Sequence, residues 1–365
     1  MSNTLANSFG YSFPAIAGVQ AGKQFFVTMC PIHLIPKIFL FDEEEIVPEL
    51  RAQRTLNRAR VPEIARYILD NREGYVFSAL TASIDGDLDF DPTPDYPNLG
   101  KLLIPMSARF VINDGQHRRA AIEEALNQDP DLGNETIAVV LFHDRGLERS
   151  QQMFADLNKY AIRPSASIGV LYDQRDYFGA ISKRLAFESP VFKGLVEMEK
   201  TTLSMRSRKL FTLSAIYSAN KALFKEIVAP SESESESTLY ATASDFWAEV
   251  GKQIKEWQMV QKNELAASEV RQDYIHSHGI TLQALGYVGN ALLRGQVSFK
   301  EGLRGLGKID WHRGNRELWE GRAMYNGKLS KSSTNVVLTT IQIKKELSIP
   351  LTSEEELTER EFKQS

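Results

Sequence analysis

A single cysteine, Cys30, stands among 365 residues. With no second thiol there is no intramolecular disulfide framework and no cysteine-based zinc site, and this suits a reducing cytoplasm. Long hydrophobic runs are lacking as well. The purest, residues 137–142, is far shorter than the ~20 residues of a membrane-spanning helix. The first residues carry no basic stretch followed by an apolar one, so neither a signal peptide nor membrane insertion is expected. Positive charge is not in surplus either. Lysine and arginine number 43 against 47 aspartates and glutamates, a formal net charge of −4. That excludes a uniformly basic nucleic-acid coat and leaves only local basic patches. No internal repeat, no G-x-S-x-G nucleophile turn and no distinct helix-turn-helix is found.

What is present is a globular composition, 42% apolar and 25% charged, long enough for two domains. In the first half, strand-like and helix-like segments alternate. Residues 24–29, 75–84, 108–112 and 136–143 have strand character. Residues 48–60, 62–71, 115–126 and 146–159 read as helices, with Pro62 suited to a first helical position and Ile64, Ala65, Ile68 and Leu69 on one face. A Pro-rich loop occupies 91–98. This order predicts an α/β domain over residues 1–165. Residues 166–365 read as a predominantly helical domain, with helices at 168–187, 205–228, 243–263 and 282–294 and an ordered element at 335–347. Residues 231–237 alternate Ser with Glu and predict a solvated loop. The acidic stretch 353–365 predicts a frayed tail.

Charge is unevenly spread. Arg51, Arg54, Arg58, Arg60 and Arg66 share a stretch with one acid, Glu63, just after five acids in 42–49. Arg51, Arg54 and Arg58 would lie together on a helix. Residues 200–225 hold six bases and no acid, with Arg206, Arg208 and Lys209 among them, and residues 300–345 hold ten bases against four acids. Phosphate neutralisation needs only a handful of placed cations, so these stretches are candidate DNA-backbone contacts. The alternative is internal pairing of 51–66 with the acidic run, the others being solvated faces.

The segment Val111-Ile112-Asn113-Asp114-Gly115-Gln116-His117-Arg118-Arg119 lies where a predicted strand hands over to a predicted helix. Helix N-termini expose unpaired N–H groups and the positive end of the helix dipole, and so bind anions. Gly115 permits a tight turn, Asp114 is placed to cap the helix, and Gln116, His117, Arg118 and Arg119 add phosphate-holding donors. His117 is a candidate proton carrier by residue type, although nothing local assigns that role. The alternative is a capped helix with His117 and Arg118 solvated in its first turn.

Asp114-Gly115-Gln116-His117-Arg118 is identical to the signature of DGQHR-domain proteins. Tyr11-Ser12-Phe13-Pro14-Ala15-Ile16, Pro36-Lys37-Ile38-Phe39, residues 53–60, Phe154-Ala155-Asp156-Leu157-Asn158 and Asp310-Trp311 add to the likeness. Through these the chain resembles the DndB-like family of DNA sulfur modification (phosphorothioation) proteins. The resemblance implies a ParB/sulfiredoxin-like α/β core followed by a mostly helical C-terminal region. It also implies a nucleotide-phosphate site at Gly115, Gln116, His117, Arg118 and Arg119, closed by Asn158, with ATP and Mg²⁺ as the candidate cofactor. The extended arginine box of ParB and the sulfiredoxin cysteine are both missing, so neither activity transfers. The implied function is a DNA-binding regulator that represses the operon of the sulfur-modification enzymes by binding its promoter. Two alternatives remain. One is an ATP-hydrolysing enzyme, with DNA nicking, in which Asp114 and His117 are the candidate catalytic residues. The other is a non-catalytic assembly factor whose partners are the other sulfur-modification proteins. Assembly into an oligomer is compatible with each.

Other signals carry less. Residues 302–308 fit G-x-x-x-x-G-K, but Ile309 replaces the Mg²⁺-binding hydroxyl, so a Gly-rich turn is expected. His276 and His278 lack further ligands at matching spacing and read as surface histidines. Cys30 reads as a small buried hydrophobe, and Tyr217 and Phe224 as core.

Overall fold

Tyr11, Phe13 and Ala15 turn inward from a long strand, β1 (Gly10–Gln20), while Ser12, Pro14 and Ile16 face out. Such alternation is the signature of a strand with one buried face. The computed structural model describes residues 10–39, 58–145, 149–159, 164–226 and 235–364. The chain divides into two units, Met1–Ile162 and Arg163–Ser365.

In the first unit β1 lies in a seven-stranded mixed sheet with β2 (Lys23–Pro31), β3 (Leu80–Asp85), β4 (Asp89–Pro92), β5 (Leu99–Pro105), β6 (Arg109–Asp114) and β7 (Thr136–His143). The order is β4-β5-β1-β2-β7-β3-β6, and only the β3–β7 pair is parallel. Pro14 has no N–H to give. It sits just beyond the β2 ladder, which begins at Ala15, and its carbonyl accepts from the Thr28 hydroxyl at 2.7 Å. Helices α1 (Ile35–Ile38), α2 (Val61–Asp70) and α3 (Gln116–Gln128) complete the core. Ala65, Ile68, Ala121, Ile122 and Ala125 cluster there with Leu80, Ala82, Ile84, Leu102, Ile104, Val139 and Leu141. A fourth helix, α4, spans Ser150–Lys159.

Several boundaries differ from expectation. The strand expected at 75–84 begins only at Leu80, and the first two residues of the Pro-rich loop belong to β4. The expected helix 48–60, with Arg51 and Arg54, lies outside the described residues except for a 3₁₀ turn at Arg58–Arg60.

The second unit is mostly helical: α5 (Ala166–Tyr172), α6 (Tyr177–Glu188), α7 (Leu213–Leu223), α8 (Ser235–Gln253), α9 (Lys255–Gln261), α10 (Ala267–Asp273), α11 (Gly279–Arg294), α12 (Phe299–Gly302), α13 (Arg316–Trp319), α14 (Ser333–Glu346) and α15 (Ser353–Gln364). Two short strand pairs join them, β8 (Val196–Glu197) with β9 (Phe211–Thr212) and β10 (Met324–Tyr325) with β11 (Lys328–Leu329). An α/β unit thus precedes a helical one, the class that the sequence predicts.

The helix expected at 205–228 is instead a loop, then β9, then α7. Of the Ser/Glu run, residues 231–234 lie outside the described residues and Ser235 already opens α8, where Glu236 favours the positive helix start. Small residues let α7 and α11 pack closely. Gly279 adjoins Ala215, Gly286 adjoins Ala219 and Ala222, and Gly289 adjoins Leu223, so the two helices run parallel. Lys331, which leads into α14, also reaches Gly279, while Leu347 at its far end meets the turn after α12. Three helices therefore start at the same end of the unit.

The acidic end is not a frayed tail. It forms α15, anchored where Glu359 takes a fork of bonds from Arg322, at 2.8 and 2.9 Å, and another from Lys345 at 2.8 Å. Burial alone would raise the Glu359 carboxyl. The hydrogen bonds and charges of Arg322 and Lys345 outweigh it and hold the group at about 2, below its ordinary 4.5. Its contribution to stability is therefore present above pH 4.5 and lost as pH falls towards 2. Glu359→Gln is expected to lower the melting temperature at neutral pH and to flatten its fall between those limits, as thermal melts across pH will show.

Candidate functional site

Strand β6 and helix α3 meet at Gly115, whose φ of +102° only glycine adopts without strain. Just before it, the β3–β6 register slips: Thr81 faces Asp114 but Ala82 faces Ile112, leaving Asn113 as a bulge. Bulges re-aim side chains. Here Asn113 is fully buried, donates to Ser83 Oγ at 2.7 Å and accepts from Ser150 Oγ at 2.7 Å. It thus ties β3, β6 and the start of α4 together. Asp144 completes the joint by accepting from the Arg149 backbone N–H at 3.1 Å.

The residues expected to hold phosphate are close together at this corner, and most are engaged within the protein. Asp114 does not cap α3. Gly115 occupies the cap position without a side-chain bond, and the Asp114 carboxylate instead accepts from Arg118 Nη2 at 2.7 Å. Arg118 Nη1 donates to the carbonyls of Ser78 at 2.6 Å and Ala79 at 2.9 Å, and also to the Ser78 hydroxyl. Arg119 is 7% exposed; its guanidinium donates to the carbonyls of Phe39 at 2.9 Å and Pro36 at 3.0 Å and pairs with Glu123. Gln116 is buried with its amide 3.4 Å from the Ile112 carbonyl. His117 is half-buried in the first turn. Asn158 lies on α4, about 12 Å along the axis from Ser150. The corner is a clasp. Two forked arginines fix the lead-in to β3 and the end of α1 against the start of α3.

The second unit presents cations differently. Arg206 and Arg208 are exposed in the 200–209 loop, and neither forms an ion pair among the described residues. Lys209 is half-buried, with Nζ 2.9 Å from the Gly194 carbonyl. The loop is held from beneath by Arg271, itself 7% exposed. Its guanidinium donates to the carbonyls of Ser204 at 2.7 Å, Ser207 at 3.2 Å and Lys209. A buried arginine thus displays two exposed ones. In the first unit Arg58 and Arg60 are also exposed, at the start of α2.

The histidine pair is not on the surface. His276 is fully buried, and because the Trp257 indole donates to its Nδ1 at 3.0 Å, the ring is neutral with its proton on Nε2, 3.4 Å from Glu256. Burial pushes His278 down to about 4. Among the described residues no group of three or more His, Cys, Asp or Glu side chains could hold a metal. Burial pushes the Cys30 thiol up to about 12, as suits a small hydrophobe rather than a nucleophile. Leu303 and Leu306 of the Gly-rich turn are core residues, and Phe224 stacks on Phe178.

Sequence reasoning passed over Asn113, although it stands inside the quoted segment, and missed Ser78, Ser150 and Arg271, for which no local pattern gives a signal. No helix among the described residues is long and apolar enough to cross a membrane. No curated protein and no solved structure matches the chain. A family model does match, over residues 13–350. Its description is DndB, DNA-sulfur modification-associated. That match takes in both the DGQHR clasp and nearly all of the helical unit, so the chain belongs to the DndB family and to the DNA sulfur modification system.

Proposed function

We propose that the chain is a DNA-binding regulator of the sulfur modification system, which represses its operon by contacting the promoter backbone through the 200–209 loop. The observation that carries this is the display of Arg206 and Arg208: exposed, without acidic partners among the described residues, on a loop stiffened by buried Arg271. A chain of net charge −4 does not coat nucleic acid, so contact must come from such a local cluster. Arg58 and Arg60 are the further candidates in the first unit. The other sulfur-modification proteins are the expected protein partners.

ATP with Mg²⁺ at Gly115–Arg119 is a separate and less supported proposal, because Gln116, Arg118 and Arg119 already serve the fold. The test of the main reading is promoter-duplex binding against salt. Wild type is expected to weaken steeply as salt rises, and Arg206→Ala with Arg208→Ala is expected to lower affinity about tenfold and the log–log salt slope by about 2. An unchanged slope removes the loop from the interface.

A further inference from the structure

The first turn of α11 gathers buried polar groups, and two of them have no hydrogen-bond partner among the described residues. His278 is the cap residue and makes no capping bond; its Nε2 lies 2.8 Å from the Arg271 carbonyl instead. Ser277, just before the cap, is 4% exposed, and Thr281, third in the helix, is fully buried. Neither hydroxyl has a hydrogen-bond partner among the described residues. Buried hydroxyls are nearly always paired. Helical side chains lean towards the helix start, which turns Thr281 back towards the end where Ser277 sits.

Cations converge on the same place. Lys331 Nζ lies 3.5 Å from where a Cβ on Gly279 would stand, over the first helical residue. Arg313 Nη2 is 3.2 Å from His278 Nε2, and Arg313 Nε is buried with no hydrogen-bond partner among the described residues. Lys331 is exposed overall, yet burial at this end holds its pKa below the lysine range, and no carboxylate among the described residues raises it again. Among the described residues, Asp273 is the acid that acts on Arg313.

A helix start carries about half a positive charge, and α7 begins alongside, with the Ala215 Cβ 3.4 Å from the same Gly279 position, although there the Ser214 N–H already donates to Ser167 Oγ at 3.3 Å. The start of α11, Lys331 and Arg313 concentrate positive charge here, which Asp273 offsets only in part, so an added anion is stabilised at this place.

We propose that this turn binds a phosphate group through Ser277, Thr281, Arg313, Lys331 and the first backbone N–H groups of α11. The same chemistry arises from a DNA backbone or from a free nucleotide. Arg271 links the turn to the 200–209 loop, since its guanidinium holds the loop while its carbonyl meets His278. If the source is DNA, the inference rests on the proposed function; if it is a nucleotide, it stands alone.

The test titrates the full chain by calorimetry with inorganic phosphate, with ATP and with the promoter duplex. Ser277→Ala with Thr281→Val is expected to melt at or above the wild-type temperature, because the lost hydroxyls had no partners, and to bind at least tenfold more weakly. Lys331→Met is expected to weaken binding similarly. Loss confined to the duplex identifies the backbone as the source, and loss for ATP or phosphate identifies a free ligand. Wild-type affinity of the variants for every probe overturns the site. So does a wild-type chain that binds no probe, or a double variant that melts well below wild type. Duplex binding lost with Arg206→Ala and Arg208→Ala, but kept by these variants, overturns this site and leaves the DNA reading standing.

Discussion

Gly286→Ala is expected to cost about 3 kcal/mol or more in chemical denaturation, from a change of one methyl group. A Cβ at this position runs into the Ala219 carbonyl oxygen, with the Ala219 carbonyl carbon and the Ala222 Cβ each 3.0 Å away. The obstacle is backbone, so the methyl cannot be accommodated by a rotamer change, and α7 must move from α11. Gly169→Ala on α5 is the matched control. Nothing lies within 4 Å of its Cβ position, so the same change is expected to be neutral or to stabilise by about 0.5–1 kcal/mol. A small loss at Gly286 would mean that the parallel helix pair is looser than described. The convergence of helix starts at Gly279 would then lose its basis.

Arg118→Ala is expected to destabilise the first unit by about 1–2 kcal/mol with no ligand present, the ion pair with Asp114 being screened by solvent. The side chain is 16% exposed, and its guanidinium joins Asp114 on its own side to Ser78 and Ala79 ahead of β3. Removing it leaves the half-buried Ala79 carbonyl without its donor, while water can reach the Ser78 carbonyl and the Asp114 carboxylate. Arg118→Lys is expected to recover only part of the loss, since an ammonium cannot reproduce the fork. His117→Ala, beside it, is expected to cost less than about 1 kcal/mol. Near-native stability for Arg118→Ala would mean that this side chain is available to a ligand after all.

Which parts of this were legible from residue order follows from how local each cause is. Strand β7 alternates Ile137, Val139 and Leu141 inward, and α3 starts where a glycine separates strand from helix; both are short-range patterns. Strand β1 was hidden by Pro14 in its middle, and β5 by its Gly and Pro. The loop at 205–209 has a composition that suits a helix, but Arg271, more than sixty residues later in the chain, takes the Ser207 carbonyl and so holds the loop open. Helix α15 lacks an apolar stripe because Glu359 docks it through charge. The junction at Gly115 was legible for the same local reason as α3. The work of its arginines was not, because Ser78, Ala79, Pro36 and Phe39 lie about 40 and 80 residues away.

Hydrogen exchange of the full chain, with and without saturating promoter duplex, tests most directly whether DNA is held by the second unit. Slowed exchange is expected across residues 200–209, with the amides of 115–119 unaffected. Protection centred on 115–119, with 200–209 exchanging as in the free chain, would contradict it.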